Sequence, residues 1–200
     1  MTGVAVVLAG GEGRRMGGGK PLRAWGGRPL LDRALELAAG YAPHVAVAVR
    51  DVGQAGQGAA VPLLFDPADI GGPLAGLASA LDFGRRHGAL WVQTLACDMP
   101  YLPADLSDRL ARALEADVGA VLPVSGGRLH PVCGLWRVAA RDRLGAYLAT
   151  GRSSLRGFAQ DVGLLELAWD AAGPDPFVNL NTLEDLAAHQ PSRADLALAG

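Results

Sequence analysis

The chain opens with an unbroken apolar run, Val4-Ala5-Val6-Val7-Leu8-Ala9, with no polar residue alternating through it. That pattern predicts a strand buried on both faces, as in parallel sheets. Similar runs predict strands at 45–49, 61–65 and 90–96. Between them the spacing changes to three and four. Leu30, Leu31, Ala34, Leu35 and Ala38 share one helical face, with Pro29 in the first turn and Gly40 at the carboxyl end. Leu74, Leu77, Ala78 and Leu81 follow Gly71-Gly72-Pro73 in the same way. Leu106, Leu110 and Leu114 predict a helix over 103–114. Later, 118–124 and 131–136 read as strands flanking a hairpin-like turn at Ser125-Gly126-Gly127. Helices are expected over 138–148 and 183–189, a mobile connection over 53–60, and a frayed tail over 191–200.

Strands alternating with helices through the first hundred residues predict βαβ units in an α/β fold: three layers, doubly wound, around a mainly parallel sheet. Such sheets bind ligands outside the carboxyl ends of their strands. The loops after Ala9, Phe65 and Ala96 are therefore expected to gather at one edge.

Composition narrows the function. The 200 residues, half of them hydrophobic and 19% charged, suit a globular domain. A formal net charge of −2 offers no overall basic field for nucleic acid, so any anion site must be local. The first apolar run is too short for a membrane span and lacks a basic leader segment. Cys97 and Cys133 form no CxxC pair, which with the rest predicts a reducing, cytoplasmic setting.

The loop after the first strand carries the strongest chemistry. From Gly10 to Lys20 it holds six glycines together with Arg14, Arg15 and Lys20. Glycine lets the backbone approach a ligand and aim several N–H groups at it, and the cations add charge. The loop is neither a Walker A motif, which fails at Arg14 and Pro21, nor a dinucleotide fingerprint, which fails at Met16. It reads as a third kind of triphosphate cradle, in which either Arg14 or Arg15 can face the phosphates. Asp98, at the end of the 90–96 strand, stands where a Mg²⁺ ligand would be needed, or else begins the turn into Pro100. Asp66, with Asp69 as a competing candidate, can accept the paired N1–H and N2–H₂ donors of guanine. Cys97 reads as a small core residue.

Four ordered segments then carry a resemblance. Leu8-Ala9-Gly10-Gly11 with Arg15-Met16-Gly17 and Lys20, then Gly72-Pro73-Leu74-Ala75-Gly76, then Cys97-Asp98-Met99-Pro100-Tyr101-Leu102-Pro103, then Phe177-Val178-Asn179-Leu180-Asn181-Thr182 together resemble the molybdenum cofactor guanylyltransferases of the nucleotidyltransferase superfamily. The resemblance implies a Rossmann-like fold of the nucleotide-diphospho-sugar transferase type. It spans nearly the whole chain as one domain, 1–190, with nucleotide binding over about 1–102 and acceptor binding over about 103–190. It implies GTP and molybdopterin as substrates, Mg²⁺ as cofactor, and Arg15, Lys20 and Asp98 as catalytic groups, Asp98 also holding the metal. Leu8, Ala9, Gly10, Gly11, Asp66 and Gly76 join those three around the nucleotide. Asn179, Asn181 and His130 face the acceptor, and Arg152 and Arg156 are further candidates for its phosphate. Cofactor-biosynthesis proteins and client molybdoenzymes are the implied partners of a monomer or weak oligomer. Two positions depart from the family pattern: Gly19, where Asp usually precedes the lysine, and Ala48, where Asn is frequent. They leave a cytidylyltransferase, another phosphate acceptor, or an inactive nucleotide-binding accessory protein as alternatives.

Overall fold

The computed structural model describes residues 3–11, 13, 16–56, 60–170 and 173–190. Strand β1 (Gly3–Leu8) runs parallel to β4 (His44–Val49) on one side and to β6 (Trp91–Ala96) on the other. Between β1 and β4 lie a two-stranded ribbon, β2 (Ala24–Trp25) and β3 (Arg28–Pro29), and helix α1 (Leu30–Tyr41). Strand β5 (Leu63–Phe65) adds in parallel to β4, and helix α2 (Pro73–Arg86) leads into β6. Helix α3 (Leu106–Arg112) precedes β7 (Ala120–Ser125), which turns into the short β8 (Arg128–Leu129). Strand β9 (Leu135–Arg137), helices α4 (Arg141–Ala149) and α5 (Leu155–Val162), strand β10 (Leu164–Ala168) and helix α6 (Leu183–Ala188) complete the order. The large sheet reads β10-β7-β9-β6-β1-β4-β5, with β8 paired to β7. It is parallel except where β9 inserts antiparallel between β6 and β7, and where β8 folds back on β7.

The continuous apolar pattern of β1 has a direct cause. Side chains alternate across a strand, and both faces of this one are covered. Ala5 and Val7 pack with Val47, Leu95, α1 (Leu31, Ala34, Ala38) and α3 (Leu106, Leu110). Val4 and Val6 pack with Ala46, Val92, α2 (Leu74, Leu77, Leu81) and the Leu144 and Phe158 side chains of α4 and α5. The three-layer, mainly parallel fold is as the sequence predicts.

Several local expectations shift. The third strand shortens to Leu63–Phe65 behind Pro62, which has no N–H to give a ladder although its carbonyl accepts from Val47 N at 3.0 Å. Gly40 lies within the last turn of α1, which stops at Ala42 in extended conformation. The helix expected over 103–114 starts at Leu106 after a turn in which Leu106 N donates to Pro103 O. Pro131–Cys133 forms a 3-10 turn, so only Leu135–Arg137 is strand there, and Val138–Ala140 is another 3-10 turn ahead of α4. The turn at Gly126-Gly127 is present, with both glycines at positive φ, but its return strand is β8. The β2–β3 ribbon, α5 and β10 were not predicted. The expected tail, 191–200, lies outside the described residues.

Candidate active site

The carboxyl ends of β1, β4, β5 and β6 open onto a cleft of about 280 Å³. It is bounded by Leu8 to Gly11, Lys20, Ala48, Arg50, Asp66, Gly76, Asp98 and Asn179. Residues far apart in sequence thus meet at the edge of the parallel sheet where ligands are expected.

The glycine loop folds back on itself: Met16 N and Gly18 N both donate to Gly13 O, at 2.8 and 3.0 Å. Gly13 has a φ of +57°, and a Cβ there would lie 2.8 Å from Lys20 Cβ, so the backbone rests directly on the lysine stem. Met16 is the loop's apolar anchor. It is buried with Trp25, Leu30, Leu180 and Leu186 in a small core between the β2–β3 ribbon and α6. Arg23 closes the loop by donating to Met16 O at 2.6 Å.

Lys20 reaches across the cleft. Its ammonium forms a close ion pair with the Asp98 carboxylate and donates to Asn181 Oδ1 at 2.8 Å. Both side chains of the pair are only 13% exposed. Asp98 follows β6, and its carbonyl accepts from Leu180 N at 2.9 Å, which straps the 179–181 segment to the strand end. A capping box then fixes Asn181 and α6. The Asp185 carboxylate accepts from Asn181 N and Thr182 N, at 2.8 and 2.9 Å, and Thr182 Oγ1 accepts from Asp185 N at 3.0 Å.

At the other end of the cleft stands Asp66. Burial pushes its carboxyl above the ordinary value, and the nearby Arg50 guanidinium opposes that shift. Among the described residues its Oδ1 is buried with no hydrogen-bond partner, a costly state unless a donor arrives. Gly10 and Gly76 make room for it. A Cβ at Gly10 would lie 2.7 Å from Asp66 Oδ2, and one at Gly76 would lie 3.7 Å from Oδ1 and 3.2 Å from Leu8 Cδ2. Asp69 is exposed and does not border the cleft.

A second cleft, about 340 Å³, lies beside the first and shares Asn179 with it; Asn181, Arg128, His130, Asp175 and Phe177 also line it. His130 is 8% exposed. It shares a 2.7 Å hydrogen bond with Ser125 and stacks on Phe177 at 4.6 Å. Burial lowers its pKa, against the opposing pull of Asp175. Arg152 pairs with Asp161 and lies over the Tyr147 ring, and Arg156 is exposed on α5; neither lines either cleft. Cys97 is buried and its thiol is pushed up to about 12 by burial, which makes it a core residue as expected and a poor nucleophile. Arg15 and Arg14 lie outside the described residues. Sequence reasoning passed over Arg50, Arg128, Asp175 and Asp185. Arg50 was legible in principle, because it is the first residue beyond β4 and the strand-end rule applies to it as to Asp66.

Among the described residues no group of three or more His, Cys, Asp or Glu side chains converges. The donor set still suits a hard divalent cation of the magnesium type, which takes one or two carboxylates and completes its shell with phosphate oxygens and water. Asp98 supplies such a carboxylate, and an ammonium cation already rests against it between two oxygen donors.

A mixed, mainly parallel sheet with a glycine cradle, a lysine and a strand-end aspartate around one cleft defines the chain as a nucleotidyltransferase by fold. Molybdopterin-guanine dinucleotide biosynthesis protein A from Archaeoglobus fulgidus superposes with a TM-score of 0.75, at 21% identity over 93% of this chain and 96% of that one. CMP:2-keto-3-deoxy-manno-octonic acid synthetase, solved with CTP, superposes at 0.74 with 15% identity over 99% of each chain. Residues 5–165 match the model of the MobA-like NTP transferase domain. The molybdenum cofactor guanylyltransferase of Rhodobacter capsulatus is 41% identical over 91% of this chain and 92% of its own length. The chain belongs to the MobA-like NTP transferase family.

Proposed function

We propose that this chain transfers GMP from GTP to the terminal phosphate of molybdopterin, releasing pyrophosphate and forming the guanine dinucleotide of the cofactor. An oxygen of the acceptor phosphate attacks the α-phosphorus of GTP, and the bond from that phosphorus to the bridging oxygen of the pyrophosphate breaks. Such a displacement needs positioning and charge neutralisation more than covalent help. The observation that carries the reading is the Lys20 ammonium beside Asp98 and Asn181, in a cleft walled by glycine backbone. Lys20, with Arg15, neutralises the triphosphate, and the Gly10–Gly11 backbone approaches it closely. Leu8, Ala9 and Gly76 border the nucleoside, and Asp66 accepts from the guanine base. Asp98 would hold a magnesium ion, which would supply positive charge to the phosphates during transfer. Asn179, Asn181 and His130 face the acceptor from the second cleft. Residues to about 102 therefore serve the nucleotide, and 103–190 the acceptor, within one domain. No helix among the described residues is long and apolar enough to cross a membrane, and we assign the chain to the cytoplasm, where it hands its product to client molybdoenzymes.

The test is pyrophosphate release from purified protein, molybdopterin and Mg²⁺ with each nucleoside triphosphate in turn. Release with GTP that disappears in Asp98→Ala is the expected result. Release with CTP instead would overturn the base assignment, and no release with any nucleotide would overturn the reaction.

A further inference from the structure

Strands β4 and β5 run parallel in a register that pairs Val49 with Phe65. The next residue on each is charged, so Arg50 and Asp66 emerge side by side at the carboxyl edge of the sheet. Arg50 Nε lies 4.0 Å from Asp66 Oδ2. That separation makes an ion pair, but it is too long for a hydrogen bond, so the carboxylate oxygens keep their capacity to accept. The backbone at Arg50 is held firmly. Its N–H donates to Gln54 Oε1 at 2.7 Å, within a capping box that joins Asp51 and Gln54. Gln54 Nε2 donates in turn to Gly11 O at 3.3 Å, which ties this corner to the glycine loop. Both Arg50 and Asp66 line the first cleft with the apolar Leu8 and Ala48, at the ends of β4 and β5, which β1 separates from β6 and Asp98.

The cleft therefore presents a planar guanidinium next to a carboxylate with one oxygen that no donor among the described residues reaches. Guanine carries the complementary edge. O6 accepts, and beside it N1–H and N2–H₂ donate in a row. A carboxylate can take both donors while the neighbouring guanidinium donates to O6. Cytosine and adenine each offer a single exocyclic amino group beside ring acceptors. With either base, one buried carboxylate oxygen stays unpaired, and that loss is what makes a polar site discriminate. We infer that Arg50 is a specificity-determining residue that reads guanine O6 alongside Asp66. Ala48 has no polar side-chain group, which leaves this polar reading to the arginine two residues on. The inference rests on the reading of GTP as the nucleotide.

Equilibrium binding of GTP, 6-thio-GTP, inosine triphosphate and CTP to the wild type, Arg50→Ala and Arg50→Gln tests it. Sulfur at position 6 is a poorer acceptor, and inosine lacks only the 2-amino group. A charge-assisted hydrogen bond corresponds to roughly a ten- to hundredfold change in affinity. Arg50→Ala is expected to weaken GTP by that factor and to erase the preference for GTP over 6-thio-GTP. The preference for GTP over inosine triphosphate, which belongs to Asp66, is expected to remain. Arg50→Gln keeps an uncharged donor and is expected to recover part of the loss; since Arg50 is 43% exposed, both variants should fold, and an unfolding curve checks this. If Arg50→Ala keeps the wild-type ratio of GTP to 6-thio-GTP while the wild type still prefers GTP to CTP, the role of Arg50 is overturned and the reaction stands. If the wild type shows no preference for GTP over CTP, the functional reading itself falls, and the inference with it.

Discussion

Replacing Lys20 with Met keeps an unbranched side chain one atom shorter and removes its charge. In the folded protein this strands the Asp98 carboxylate, which is 13% exposed and has the ammonium against it. Breaking a fully buried ion pair costs about 3–5 kcal/mol, because one charge is left uncompensated. This pair lines an open cleft and is 13% exposed, so partial solvation lowers the expected loss to about 2 kcal/mol. With a urea dependence of roughly 2 kcal/mol per molar, the unfolding midpoint should fall by about 1 M. The double variant Lys20→Met/Asp98→Asn removes both charges and should recover most of that loss. Activity should not follow stability. Losing a cation at the reacting phosphates costs about 3 kcal/mol of barrier, or 10² to 10³ in kcat, and the double variant should be no more active than the single. Without nucleotide, Lys20→Met should also bind Mn²⁺ more tightly than wild type, because the ammonium no longer competes for Asp98. Urea titration, single-turnover kinetics and Mn²⁺ titration measure the three effects. A double variant no more stable than the single, or a Lys20→Met enzyme within a few-fold of wild-type kcat, would refute the reasoning.

Other residues make separate tests. Gly10→Ala puts a Cβ 2.7 Å from Asp66 Oδ2; the carboxylate must swing away, so GTP affinity should drop at least about tenfold while calorimetric unfolding changes little. Burial lowers the pKa of His130. As the pH falls below the ordinary histidine value of 6.5, the unfolded chain takes up a proton more readily than the folded one, so stability falls across that window. His130→Gln should flatten that slope in unfolding measured at successive pH values. Thr182→Ala removes the side chain that caps α6 and should cost about 1 kcal/mol. Because Asn181 precedes it, acceptor KM should rise more than GTP KM in steady-state assays.

Much of this architecture is readable along the chain. The unbroken run Val4 to Ala9 signals a strand covered on both faces. Helix α1 follows from helical spacing because it buries one apolar stripe, and α2 shows the same spacing in its leucines although every residue from Leu74 to Leu81 is buried. Lys20, Asp66 and Asp98 are also legible, since strand-end loops of a parallel sheet converge and these residues sit in them. Some shorter elements are less so. Strand β10 packs Leu164, Leu165 and Leu167 only partly, and neither buried face repeats long enough to mark a period. Strand β9 has three residues, and its position between β6 and β7 depends on pairing across more than forty residues of chain.

Local pattern thus determined the layered α/β class and the chemistry available at the sheet edge, because burial imposes periodicity and glycine imposes backbone freedom. Only the tertiary structure decided which groups meet. Lys20, Asp98 and Asn181 are spread over 161 positions and touch because Leu180 N bonds to the Asp98 carbonyl and Met16 packs under Leu180 and Leu186. Arg50 stands beside Asp66 because β4 and β5 pair in one register and no other. Contacts of that kind carry no signal in neighbouring residues, since they are set by how separate segments share a core.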